Sequence, residues 1–218
     1  PHLSIQTTDK WLNMYKKIIP EEEYVHRGYL KHPFPRAGYA AMVTQMDDSV
    51  GQIVSLVDKL GLKENTLIIF TSDNGPWLPY DTHGGSAGLL REGKGTTWEG
   101  GQRVPGLFWG GSIKSGTITD LGSTMDIFPT ILDVAGIDIP NDRIIDGFSL
   151  KNTLINHDSS DRKSILFYRQ REIYAARLND YKAHFITQGA YEYNVSRYYN
   201  AKNYDDKNKK RDLNNDLK

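Results

Sequence analysis

The chain has no cysteine, which excludes disulfides, thiolate metal ligands and a cysteine nucleophile among these residues and leaves the redox compartment open. It has no apolar run of about 18 residues, so no segment reads as a membrane span. Neither charge is in excess, since Lys+Arg and Asp+Glu both number 27. Without a net field there is no drive toward nucleic acid or an anionic membrane, and neither is expected as a partner. Methionine is sparse, with four in 218 residues; Met42 and Met46 share a helical spacing and read as core rather than as a cofactor box. The chain opens on Pro1 instead of methionine. We therefore expect a longer parent protein, and a leader peptide stays open.

What the chain has in abundance is glycine, concentrated in one place. Eleven glycines fall between Gly75 and Gly111, a density suited to backbone that folds closely on itself or around a small ligand. Just before them, residues 67–71 form an apolar, β-branched run without polar alternation. Such a run reads as a strand buried on both faces, of the kind found mostly in parallel sheets. Ser72, Asp73, Asn74 and Gly75 follow at once. In open α/β sheets ligands gather beyond the carboxyl ends of strands, and Asp73 and Asn74 offer hard oxygen donors of the sort Ca²⁺ and Mg²⁺ take. Asp-Asn-Gly is also ordinary turn chemistry, and on these residues alone both readings stand. His83, Arg91, Lys94 and Arg103 lie within the glycine-rich stretch and can meet an anion. A lysine there acts as a point charge on phosphate or sulfate.

The rest of the chain supplies a frame. Residues 38–60 carry apolar side chains at steps of three and four, predicting an amphipathic helix stopped by Gly61 in the left-handed conformation. Asp47 and Asp48 are adjacent in that helix and point about 100° apart, so they do not act as a catalytic pair. A shorter helix is expected near residues 8–17, and a second strand over 104–109. Another helix is expected over 123–136, with Asp126 as cap, Pro129 in its first turn and Gly136 closing it. From Ser164 onward short strands alternate with turns, Asn179-Asp180 being the clearest, which predicts an antiparallel sheet. His26 and His32 sit in polar surroundings and read as surface residues. Residues 200–218 hold almost nothing apolar and are expected to form a disordered polar tail. Asn194-Val195-Ser196 fits a glycosylation triplet, a pattern common by chance.

Ser72-Asp73-Asn74-Gly75-Pro76-Trp77, continued by His83-Gly84-Gly85-Ser86-Ala87-Gly88-Leu89-Leu90-Arg91-Glu92-Gly93-Lys94-Gly95-Thr96-Thr97-Trp98-Glu99-Gly100-Gly101 and Gln102-Arg103-Val104-Pro105, closely resembles the formylglycine-dependent sulfatases of the arylsulfatase type. The likeness runs over residues 38–147, with a weaker echo at 181–189. It implies an α/β fold: part of an alkaline-phosphatase-like wound sheet with helices on both faces, plus a small C-terminal antiparallel subdomain. We accordingly expect residues 1–160 to be core, 161–199 a small β subdomain and 200–218 a tail. The resemblance implies that Asp73 and Asn74 bind a divalent cation, usually Ca²⁺ with Mg²⁺ possible, and that Lys94 contacts the sulfate. It extends a sulfate contact to His2, because a Pro-His commonly precedes this region in the family. His83 is a further candidate for contact with substrate, while Arg91, Glu99 and Arg103 are expected to hold the loop through ion pairs.

The same resemblance marks what these residues do not carry. The family's nucleophile is a formylglycine made from Cys or Ser within Cys/Ser-x-Pro-x-Arg, and no serine here stands in that context. The family's N-terminal Asp-Asp metal pair and its Lys-x-His clamp are absent as well. We therefore expect the C-terminal portion of a sulfatase, carrying half the site, inactive alone and completed by the missing N-terminal half or by self-association. A periplasmic or secreted location follows from the resemblance. Two alternatives remain at this stage. One is a phosphatase or phosphodiesterase of the same superfamily, and the other a sulfatase-derived binding module without catalysis.

Overall fold

The computed structural model describes residues 1–24 and 29–187. His26, the Asn194 triplet, the polar tail and the end of the 181–189 echo lie outside the described residues. The chain divides into two compact units, one made of residues 1–60 and 72–105, the other of residues 61–71 and 106–187.

In the first unit, helices α1 (Asp9–Tyr15) and α2 (Pro35–Lys59) pack together, and the Tyr15 hydroxyl meets Thr44 Oγ1 at 2.6 Å. Helix α2 starts three residues before its predicted position, with Pro35 in its first turn, where a missing N–H costs nothing. No neighbouring Ser or Asp caps it. Instead the Glu21 carboxylate accepts the N–H groups of Arg36 and Ala37 at 3.0 and 2.9 Å, satisfying two orphan donors and placing an anion at the positive end of the helix. Gly61 follows with φ +68°, the left-handed stop expected from sequence. Asp48 is half-buried and accepts from Gln52, while Asp47 is exposed.

The helix's apolar stripe is less buried than its periodicity implies. Pro35, Ala37, Gly38 and Ala41 are buried, whereas Ile53, Leu56 and Leu60 are 56, 55 and 59% exposed. Periodicity shows which face is apolar but not how much of that face this chain covers. Met42 is half-buried against the core of the unit, which is Leu3, Ile5, Tyr24 and Tyr80 with Tyr29 and Trp77 packed on them. Met46 is also half-buried.

In the second unit, β1 (Ile68–Thr71) pairs with β2 (Gly106–Trp109) in a two-stranded antiparallel sheet, Ile69 opposite Phe108. The apolar run therefore does form a strand, but neither parallel nor buried on both faces. Ile68, Ile69 and Phe70 are half-buried and Thr71 is exposed. A short apolar run does not by itself report the direction of its partner. The capping near residue 126 also differs from expectation. Ser123 is the cap: its hydroxyl accepts from Met125 N, and Asp126 returns a bond by accepting from Ser123 N at 2.8 Å. This capping box opens a tight turn that runs into α4 (Ile127–Val134), with Pro129 in its first turn and Gly136 beyond its end at φ +70°. Helix α5 (Lys151–Asn156) is tied to α4 through Lys151 Nζ, which donates to Asp133 Oδ1 at 3.0 Å.

Asp126 is fully buried and carries more than the cap. It also accepts from Phe148 N at 2.8 Å and from the Arg162 guanidinium, whose Nε lies 2.8 Å from Oδ2. Arg162, itself 5% exposed, spends another donor on the Asp146 carbonyl at 2.8 Å. The unit ends in a three-stranded antiparallel sheet in the order β3 (Ser164–Arg169), β4 (Glu172–Leu178) and β5 (Tyr181–His184). The register of β3 against β4 shifts between Phe167 and Tyr168, where β4 has one extra residue, Tyr174. Asn179, in the turn between β4 and β5, has φ +49°, which asparagine tolerates better than most residues.

Candidate active site

The glycine-rich stretch folds back on the segment that carries Asp73 and Asn74. Gly75 N donates to the Gly101 carbonyl at 3.0 Å. The contact requires glycine, because a Cβ on Gly75 would fall 1.7 Å from the Gly100 oxygen, and a Cβ on Gly100 would fall 1.9 Å from the Glu92 oxygen. No real Cβ tolerates such approaches, so the sequence pattern here is a record of backbone lying on backbone. Lys94 N donates to the Pro76 carbonyl at 2.8 Å, which pins the lysine beside the residues that follow the Asp-Asn pair. Thr96 is buried beneath it, with its hydroxyl on the Gly93 carbonyl at 2.9 Å. The Gln102 amide holds the Thr96 carbonyl at 2.7 Å, at the end of helix α3 (Glu99–Gln102). Arg91 lies 3.8 Å over the Trp98 ring, a cation–π contact that steadies the loop.

Lys94 Nζ stands 3.5 Å from His2 Nε2 across 92 positions of sequence. His2 Nδ1 bonds the Leu3 carbonyl. A carbonyl only accepts, so Nδ1 carries the hydrogen and Nε2 is the nitrogen turned toward the ammonium. The Trp77 ring lies against both groups, with Lys94 Nζ 5.5 Å and the His2 ring 6.1 Å from its centre. His2 is exposed and Lys94 half-buried. The pair therefore forms an open cationic edge beside an aromatic surface.

Asp73 and Asn74 form the turn that their sequence allows. Asp73 Oδ1 accepts from Asn74 N at 2.9 Å, and the Asn74 amide donates to the Gly75 carbonyl at 3.0 Å. The Ser72 hydroxyl closes the turn on the Asn74 carbonyl at 3.1 Å. Turn chemistry and ligand chemistry coexist here, because the turn uses one carboxylate oxygen and the amide nitrogen. The second carboxylate oxygen and the amide oxygen remain as hard donors, and Asp73 is exposed. They fit part of a Ca²⁺ or Mg²⁺ shell, which takes six or more oxygens for Ca²⁺. Among the described residues no three or more His, Asp or Glu are grouped so that they could hold a metal ion.

His83 is placed differently from the other candidates. It is 1% exposed and stacks on Tyr24 with ring centres 5.5 Å apart. Burial lowers its pKa, outweighing the opposite pull of Glu22, Glu21 and Asp81. In this structure it offers substrate no surface and acts as packing beneath the aromatic cluster. Sequence reasoning passed over Tyr29 and Trp77. Trp77 had a signal in its position directly after Asn-Gly-Pro, whereas nothing in the sequence around Tyr29 marked it.

The sulfatase family model matches residues 1–137. The chain belongs to the sulfatase family. Human arylsulfatase A is 43% identical over 161 residues, covering 71% of this chain and 32% of its own length. Mouse N-acetylgalactosamine-6-sulfatase is 44% identical over 155 residues, covering 70% of this chain and 30% of its own. This sulfatase chain thus spans about a third of the length of these curated relatives. Among solved structures, the PsFucS1 sulfatase from Pseudoalteromonas sp. is 36% identical with a TM-score of 0.62, over 68% of this chain and 30% of its own. Ps i-CgsB in complex with k-i-k-neocarrahexaose is 29% identical with a TM-score of 0.68, over 92% of this chain and 44% of its own. The fold class is the expected one, alkaline-phosphatase-like α/β with a small three-stranded sheet at the C-terminal end. No described helix of the chain is long and apolar enough to cross a membrane.

Proposed function

We propose that these residues form part of the active site of a sulfate ester hydrolase. The observation that carries the reading is the meeting of Lys94 and His2 at 3.5 Å, on a loop fastened beside the Asp73-Asn74 turn. A sulfuryl group arriving there meets the Lys94 ammonium, a donor that needs no proton transfer to act. His2, held through Nδ1, turns Nε2 to the same oxygens. Asp73 and Asn74 would hold Ca²⁺, or Mg²⁺ in its place, through their remaining oxygens. When bound, the cation supplies charge stabilisation to the sulfuryl oxygens. These 218 residues contain no Cys/Ser-x-Pro-x-Arg from which a formylglycine could be made, so the nucleophile belongs to residues outside them.

Two proposals accompany this assignment. The first is that the exposed apolar residues on α2, Ile53, Leu56 and Leu60, pack against the N-terminal half expected of the parent protein, and that this surface self-associates without it. The second is that the chain is parsed near residue 160 into core and β subdomain, in a protein that is secreted or periplasmic.

The test is the intact gene product assayed on an aryl sulfate and the matching aryl phosphate, beside the 218-residue chain alone. We expect metal-dependent turnover of the sulfate by the intact product and none by the chain. Preferred turnover of the phosphate would overturn the substrate class. Turnover by the chain alone would place the nucleophile among Ser72, Ser86, Thr96 and Thr97.

A further inference from the structure

The aromatic cluster of the first unit has a buried floor and a half-exposed face, and the candidate anion site lies on the exposed side. Tyr24 and Tyr80 are 4 and 3% exposed and make the floor. Tyr29 and Trp77 pack over them and remain half-buried. Their rings meet edge to face, 5.7 Å apart at 86°, and Trp77 leans on Tyr80 at 4.8 Å. His2 contacts the rings of both, at 5.8 Å from Tyr29 and 6.1 Å from Trp77, and Lys94 Nζ lies 5.5 Å from Trp77. Packing alone explains the floor. It does not explain why the half-exposed rings are the ones that touch both candidate sulfate contacts.

We propose that Tyr29 and Trp77 form the wall that receives the group bearing the sulfate, and so set specificity. The proposal rests on the reading of Lys94 and His2 as the sulfate contacts. An ester bound there has its leaving group one oxygen away from the anion, which brings that group to the neighbouring rings. A flat apolar face gains by stacking on Trp77 or standing edge-on to Tyr29, whereas a small alkyl group covers little of either. The ligand class is therefore a sulfate ester on a ring with a flat apolar face, either an aromatic ring or the apolar face of a pyranose.

The test is a titration of the full 218-residue chain with inorganic sulfate, methyl sulfate, phenyl sulfate and glucose 6-sulfate, read by NMR at Lys94 and His2. Phenyl sulfate or glucose 6-sulfate should bind about threefold to tenfold more tightly than methyl sulfate, the range expected from an aromatic contact. Whichever of the two shows the larger preference identifies the ring. Trp77→Leu and, separately, Tyr29→Leu should each bring that ratio toward one, with amide dispersion showing that the fold persists. Because both rings pack on the core, Trp77→Met and Tyr29→Met, which keep an apolar side chain of similar reach, keep the test decisive if a leucine variant fails to fold. An unchanged ratio in the folded variants, or no ring preference in the wild type, overturns the specificity wall alone. If even inorganic sulfate leaves Lys94 and His2 unshifted, the reading of the anion site falls, and the wall with it.

Discussion

Asp126 and Arg162 in one unit, and Asp73, Lys94 and His2 in the other, are two clusters of charge with opposite economies of hydrogen bonding. Asp126 is fully buried and takes donors from Ser123, Phe148 and Arg162. Arg162 returns its remaining donors to the Asp146 and Ser164 carbonyls. Every strong group there has a protein partner, which is the condition for keeping charge out of water. In the other cluster Asp73 and His2 are exposed, Lys94 is half-buried, and the lysine faces a ring nitrogen instead of a carboxylate. A cation held beside a histidine and a tryptophan is positioned by its loop without being neutralised. The first arrangement locks a fold, and the second leaves Lys94 without a carboxylate partner among the described residues, which is what the proposed anion site requires.

The comparison breaks most sharply at Asp73. Asp73→Ala in the intact gene product should abolish sulfate ester turnover while changing stability by less than about 1 kcal/mol, the scale of one exposed hydrogen bond. Turnover in the variant equal to wild type, or turnover indifferent to chelation of the metal, would remove Asp73 from the site.

The reverse result is expected at the buried pair. Arg162→Met strands the Asp126 carboxylate and should cost about 3–5 kcal/mol of unfolding free energy. Adding Asp126→Asn should recover part of that loss, because the stranded charge is then gone. Denaturant unfolding of the single and double variants measures both. A single variant as stable as wild type would show that the network is not what holds this unit.

Lys94→Ala sharpens the contrast from the other side. Removing one charge-stabilising donor should lower kcat/KM about 10²- to 10³-fold, with the melting temperature close to wild type. A loss below about threefold would put Lys94 outside contact with the sulfuryl group, since even one weak hydrogen bond is worth that much.

How far the sequence disclosed these clusters follows from the physics of each. The folding of the glycine-rich loop back on the Asp73–Asn74 turn was legible because close backbone approach demands glycine, and glycine leaves its mark in composition. Helix α2 was legible because burial of one face imposes a period. The antiparallel partner of β1 was not, since a strand of four residues carries no directional signal. The Asp126–Arg162 pair was hidden because its members lie 36 positions apart and neither has a local pattern; Asp126 read only as a cap. The burial of His83 was not legible, because flanking glycines say nothing about where the ring points.

The smallest expected effect lies beneath the site, at His83. Burial lowers its pKa, with Glu22, Glu21 and Asp81 opposing, so the folded chain keeps the ring neutral at a pH where the unfolded chain, near 6.5, has begun to protonate it. In that window the unfolded state binds more protons, and stability rises with pH. His83's contribution is therefore intact above about pH 6.5 and is lost as the pH falls toward the depressed value. One proton sets a ceiling on the slope of about 1.4 kcal/mol per pH unit. Unfolding midpoints taken from pH 7.5 to 5 should fall less steeply in His83→Gln than in wild type, although the other histidines titrate in both. Parallel curves would mean that His83 exchanges protons with solvent as an exposed histidine does. The ring would then be open to the aromatic face above it and would return to the list of groups a substrate can reach.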